Sequence, residues 1–186
     1  RVQEGVFHRI FGSKGLGPVS REYFFSFGKY DYVKGPKPAG CTLCLIRDRD
    51  PSVVDLSVYR DELFIAAVNL YPYNPGHLLV FPVRHLTDIR ELSEEEEARL
   101  VRLTRYLLDV GDRLNRPAGY NIGYNMGQPA GASIDHLHLH IIPRFPNEAG
   151  IADLIAGKRV LVEEPAETAK RLRERIAQEP FSSGSS

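Results

Sequence analysis

Three histidines alternate with apolar residues in Asp135-His136-Leu137-His138-Leu139-His140-Ile141-Ile142-Pro143. A period of two reads as a β-strand, because successive strand side chains point to opposite faces. On that reading His136, His138 and His140 share one face, with neighbours about 7 Å apart. Leu137, Leu139 and Ile141 share the other and face the core. An imidazole titrates near pH 6.5, so at neutral pH most rings are uncharged and one nitrogen is nucleophilic. A row of such rings suits two chemistries. One is attack on an electrophile such as phosphorus. The other is metal ligation, since His-Xaa-His on a strand, joined here by His77, also builds catalytic zinc sites. A polar strand face with incidental histidines is the plainer explanation. It is opposed by histidine's poor strand preference and costly burial. It is also opposed by clustering: His77, His85, His136, His138 and His140 are five of the six histidines, and only His8 lies elsewhere.

Two further segments carry chemistry. Asn125-Met126-Gly127-Gln128-Pro129-Ala130-Gly131-Ala132-Ser133 leads directly into the histidines. Its glycines, Gly131 among them, allow backbone amides to approach a phosphate, and Ser133 adds a hydroxyl donor. Cys41-Thr42-Leu43-Cys44 has the spacing of a metal knuckle. Free thiols, a disulfide or a redox pair remain alternatives, although nothing around the cysteines resembles a thioredoxin domain.

The elements that must position these residues follow from pattern. Leu63 to Leu70 and His77 to Val83 are apolar runs separated by Pro72 and Asn74-Pro75-Gly76, as in an antiparallel hairpin. Ser93 and Glu96 form a capping box before Leu100, Leu103, Leu107, Val110 and Leu114, whose spacings of three and four predict a long amphipathic helix ending before Pro117. Gly119 to Asn125 and His136 to Ile142 are further strand candidates, and Lys158 to Glu163 a short one. Pro165 opens a last helix with Ala169, Leu172 and Ile176 inward. The predicted class is α+β, an antiparallel sheet of about five strands with one long helix and a C-terminal helix. Residues 1–40 read as an irregular arm, 41–178 as the domain and 179–186 as a disordered tail.

The chain has 186 residues, 42% apolar and 26% charged, which suits one domain with a proper core. Lys+Arg and Asp+Glu balance at 24 each. No global field draws it to nucleic acid or to an acidic membrane, so neither is an expected partner, and any phosphate must be held locally. No apolar run is long enough to span a bilayer. With two cysteines and no export signal, a cytoplasmic location is the expectation.

From about Tyr32 to Ile176 the chain resembles the histidine triad (HIT) superfamily. The resemblance is carried by Cys41-Thr42-Leu43-Cys44, by Asn69 through Val80 with Asn74-Pro75-Gly76-His77, by Pro82 and His85, and by His136-Leu137-His138-Leu139-His140 with Ile142-Pro143-Arg144. It is strongest to the prokaryotic branch related to diadenosine tetraphosphate phosphorylases and hydrolases. It implies a homodimer with one sheet extended across its twofold axis. It implies a nucleotide substrate attacked at its α-phosphorus by His138, through a nucleotidyl-histidine, with His140 and His77 flanking the phosphate. Asn69 falls where the ribose is held, and Asn125, Gly131 and Ser133 fall near the phosphates. In that branch Cys41, Cys44, His85 and His136 correspond to a structural zinc site; no organic cofactor is implied. Two stretches depart from the pattern: Ala132, where many relatives place a polar donor, and Phe145-Pro146-Asn147-Glu148-Ala149, which leaves the acceptor, water or phosphate, open. A metal-dependent hydrolase and a non-catalytic nucleotide-binding module are the alternatives.

Overall fold

In a computed structural model, which describes residues 40–146 and 163–182, the chain forms a five-stranded sheet with every neighbouring pair antiparallel. The strands are β1 (Ser57–Arg60), β2 (Phe64–Val68), β3 (Leu78–Pro82), β4 (Gly119–Tyr124) and β5 (Leu139–Arg144), in the order β1-β2-β3-β5-β4. The helices are α1 (Thr42–Arg47), α2 (Glu94–Asn115) and α3 (Pro165–Gln178).

β2 and β3 are buried along their whole length because both faces of the sheet are covered. Phe64, Ala66, Val68, Leu78, Val80, Leu139 and Ile141 pack under Leu100, Leu103, Leu107 and Val110 of α2 and Ala169 and Leu172 of α3. On the opposite face Ile65, Ala67 and Phe81 meet Leu43 and Ile46 of α1. The histidines open onto this second face, away from the long helix. At the β2–β3 turn Gly76 has φ +84°, and a Cβ there would come within 2.9 Å of Asn115 Nδ2, so the position requires glycine.

The α2 boundaries follow the sequence. Ser93 Oγ accepts from the Glu96 amide and Glu96 Oε2 accepts from the Ser93 amide, while Arg116 ends the helix in a left-handed conformation just before Pro117. Glu96 also anchors a side chain from elsewhere. Its buried carboxylate takes both Nε and Nη2 of Arg84, at 2.6 and 2.7 Å, tying the start of α2 to the chain leaving β3. The Arg84 bonds hold the Glu96 pKa down, to about 2. A depressed carboxylate pKa adds stability that is complete above its unfolded value and is lost as pH falls towards the folded one. Glu96→Gln is therefore expected to lower stability at pH 7 by about 1–2 kcal/mol and to flatten the acid-induced loss between about pH 4.5 and 2, measured by urea unfolding across pH.

Three elements differ from the expectations drawn from sequence. β1 stands where no strand was expected, in half-buried Ser57-Val58-Tyr59-Arg60. The histidine strand begins at Leu139, not His136, because the Leu137 amide turns aside to the Leu86 carbonyl at 2.6 Å. Beyond 178, Phe181 packs edge-on to Tyr59 and against Tyr106, and Tyr106 Oη donates to the Glu179 carbonyl, so the domain's packing runs past the expected boundary. Of the short strand expected from Lys158 to Glu163, residues 158–162 lie outside the described residues. So do residues 1–39 of the arm and 183–186 of the tail.

Candidate active site and metal centre

Where β3 and β5 pair, Leu79 faces His140, and where β5 and β4 pair, His140 faces Gly123. A cavity of about 300 Å³ opens on this face. Its lining includes His138, His140, Asn69, Asn125, Gly131 and Ser133 together with the apolar Leu43, Ile46, Val53, Val54 and Leu56. A mainly apolar lining with a few polar groups suits a flat ring carrying a polar substituent.

His138 is only 4% exposed. Its Nδ1–H donates to the His136 carbonyl at 2.7 Å, which leaves the Nε2 lone pair available on the other side of the ring. Burial pushes its pKa below the ordinary imidazole value, favouring the neutral, nucleophilic form.

The tautomers of His77 and His140 follow from a backbone amide. Tyr73 N–H donates to His77 Nδ1 at 3.1 Å, so the His77 proton sits on Nε2 and donates to His140 Nδ1 at 2.9 Å. His140 then carries its own proton on Nε2, 3.4 Å from the Asn125 amide group. Asn69 supports the same chain: its oxygen accepts from the Tyr71 amide, and its nitrogen approaches His77 Nδ1 at 3.3 Å. The family resemblance placed His77 beside the phosphate. The structure buries it completely with both ring nitrogens engaged, so it can orient His140 but has no donor left for a substrate.

The glycine loop also differs from expectation in its amides. Gly131 has φ +89° and donates its N–H to the Gln128 carbonyl, and the Ala132 amide donates to Gly127. Gly131 shapes the turn that brings Ser133 to the cavity rather than offering a phosphate donor.

His136 belongs to a different cluster. Cys41, Cys44, His85 and His136 place one ligand atom each within 4.8 Å of one another. Cys41 Sγ lies 3.4 Å and Cys44 Sγ 3.6 Å from His136 Nδ1, and Cys44 Sγ is 3.3 Å from His85 Nδ1. A tetrahedral ion with bonds of about 2.0–2.3 Å separates its donors by roughly 3.3–3.8 Å, so these three separations match such an ion and the donor set of two sulfurs and two imidazoles suits zinc. The remaining nitrogen of His136 donates to the Pro82 carbonyl at 3.0 Å, the arrangement that presents Nδ1 as a ligand. Burial holds His136 in its neutral, ligating form, with a pKa lowered to about 4. Burial and the neighbouring Cys41 push the Cys44 thiol up. His138 and His140 are not in this cluster. His136 thus stands with the donor group, and the other two line the cavity.

Several contributors escaped the sequence reading. Tyr73 sets the tautomers through its amide and stacks its ring on His77 at 5.3 Å between centroids. Pro82 supplies the carbonyl that orients His136. The apolar wall comes from residues 43–56, whose short helix has no long periodicity to reveal it; Leu43 and Ile46, three apart, were the available signal.

A sequence model of the HIT domain matches residues 51–147. A Mycobacterium tuberculosis protein named AP-4-A phosphorylase is 38% identical over 126 residues, covering 67% of this chain and 65% of that protein. A Schizosaccharomyces pombe bis(5'-nucleosyl)-tetraphosphatase [asymmetrical] is 36% identical over 97 residues, 52% of this chain and 53% of its own. The chain therefore spans just under two thirds of the first relative and about half of the second. A crystal structure described as a Zn-bound histidine triad family protein from Mycobacterium smegmatis superposes with a TM-score of 0.59 at 26% identity, covering 75% of this chain and 94% of that one. The fold and the paired histidines define a histidine-triad protein, and this chain belongs to the HIT domain family. Among the described residues no helix is long and apolar enough to cross a membrane.

Proposed function

We propose that the protein is a nucleotidyl hydrolase or transferase that attacks the α-phosphate of a nucleotide through His138, with dinucleoside polyphosphates or related adenine nucleotides as its substrate class. The observation that carries this is the His138 ring itself: one nitrogen is tied to the His136 carbonyl, and the ring lines a cavity with both polar and apolar residues. The base occupies the cavity, Asn69 holds the ribose, and Asn125, Ser133 and His140 Nε2–H receive the phosphate oxygens. His138 Nε2 forms a bond to phosphorus as the bond to the leaving oxygen breaks, giving a nucleotidyl-histidine. Water or phosphate then attacks the phosphorus, the P–Nε2 bond breaks with its electron pair returning to Nε2, the ring leaves neutral and still protonated at Nδ1, and the proton of an attacking water is released to solvent. His140 steadies charge on the phosphoryl oxygens, and His77 positions it. The activities for which the relatives are named support this substrate class.

Cys41, Cys44, His85 and His136 would hold a zinc ion. Bound there, zinc supplies structure, tying α1 to the segment that enters β5. The catalytic-metal alternative loses support because His138 and His140 stand outside the four-donor cluster. The edge strand β4, with Ile122 exposed, supports a homodimer joined through that edge.

Diadenosine tetraphosphate supplied with and without inorganic phosphate tests the reaction type. AMP and ATP without phosphate identify a hydrolase, and ADP formed only with phosphate identifies a phosphorylase. No nucleotide product in either condition contradicts the enzyme reading and leaves the binding-module alternative.

A further inference from the structure

The segment that begins with α1 brings both apolar side chains and a hydroxyl to the cavity. Leu43, Ile46, Val53, Val54 and Leu56 line it together with Ser52, the residue just before Val53. With the phosphate at His138 and the ribose at Asn69, a purine base packs on these apolar side chains, and Ser52 meets its polar edge. We propose that Ser52, held by Asp50, accepts a hydrogen bond from the exocyclic amino group of adenine and so selects adenine over bases with an oxygen at that position. The proposal rests on the nucleotide reading above and adds a base preference to it.

The turn after α1 fixes the direction of this hydroxyl. The Asp50 amide donates to the Leu45 carbonyl at 2.9 Å, and the Asp50 carbonyl accepts from the Val53 amide at 3.3 Å. Asp50 Oδ1 accepts from the Ser52 amide at 2.8 Å. The Ser52 hydroxyl donates to the Asp50 carboxylate too, and these two bonds, the hydroxyl first, hold the Asp50 pKa below its ordinary value. At neutral pH that carboxylate is ionised and can only accept, so the single hydroxyl proton of Ser52 is committed to it. A hydroxyl that rotates freely donates to one base and accepts from another. Ser52 is left with its lone pairs, which suit a donor. Adenine presents an amino group where guanine presents a carbonyl oxygen. An oxygen there sets acceptor against acceptor and leaves Ser52 unpaired. Ser52 is exposed, so water competes for the same lone pairs and the preference is modest.

Titration calorimetry on the intact chain tests this with three mononucleotides. AMP, inosine monophosphate and purine riboside monophosphate carry an amino group, an oxygen and a hydrogen at the same ring position. AMP is expected to bind about fivefold more tightly than either of the others. Ser52→Ala is expected to bring all three within about twofold, and Ser52→Thr to keep the preference. Asp50→Ala, which releases the hydroxyl to rotate, is expected to narrow the gap between AMP and inosine monophosphate. A parent chain that binds AMP and inosine monophosphate equally, or a Ser52→Ala chain that keeps the full preference, would overturn the Ser52 assignment while leaving the nucleotide site standing. A parent chain that binds none of the three would overturn the nucleotide reading, and the base preference with it.

Discussion

His138→Ala is expected to reduce nucleotidyl transfer by about four orders of magnitude or more while the fold and nucleotide binding survive. The magnitude follows from removing the group that forms the bond, since loss of a nucleophile leaves only positioning and electrostatic stabilisation. The structural cost is smaller. The side chain gives up one hydrogen bond to the His136 carbonyl and leaves a small void beside a cavity that already exists, about 1–3 kcal/mol in all. His77→Ala makes the contrast. It removes the ring that fixes the His140 tautomer, from a fully buried position, so it is expected to damage stability and turnover together. Single-turnover rates and urea unfolding on the same preparations separate the two effects.

Loss of the four-donor cluster is expected to have the largest effect on stability. Cys41→Ser, or exhaustive chelation of a zinc-loaded preparation, is expected to lower Tm by roughly 10 °C, because several kcal/mol of binding free energy is coupled to folding. Nucleotide affinity is expected to change much less. The cluster holds α1 and the approach to β5, but none of the groups assigned to ribose and phosphate is one of its four donors. Metal analysis alongside calorimetric melting checks this. A chelated protein with an unchanged Tm would contradict a structural ion, and one that melts normally but stops turning over would return the metal to catalysis.

The long helix was legible because two independent signals agreed. A capping box fixed its first residue, and apolar spacing fixed its buried stripe at Leu100, Leu103, Leu107 and Val110. β2 and β3 were legible as apolar runs because both their faces are covered. The alternation at His136 to His140 correctly placed Leu139 and Ile141 in the core but exaggerated the regularity. Period two describes a strand only while the backbone stays in the ladder, and at Leu137 it bonds to Leu86 instead. That departure separates His136 from the other two histidines, and no side-chain pattern encodes it. The assignment of His136 to the cysteines came from family resemblance, not from spacing. The burial of His77 was hidden for a similar reason: its partners are the Tyr73 amide and the His140 ring, one a backbone group and the other 63 residues away.

The most direct test of the nucleophile is chemical trapping. The protein is mixed briefly with diadenosine tetraphosphate labelled at the α-phosphorus, denatured, digested and mapped by mass spectrometry. The expected result is one nucleotidyl group on the peptide containing His138, absent from His138→Ala. Steady turnover with no labelled peptide, or label on another residue, would contradict the account.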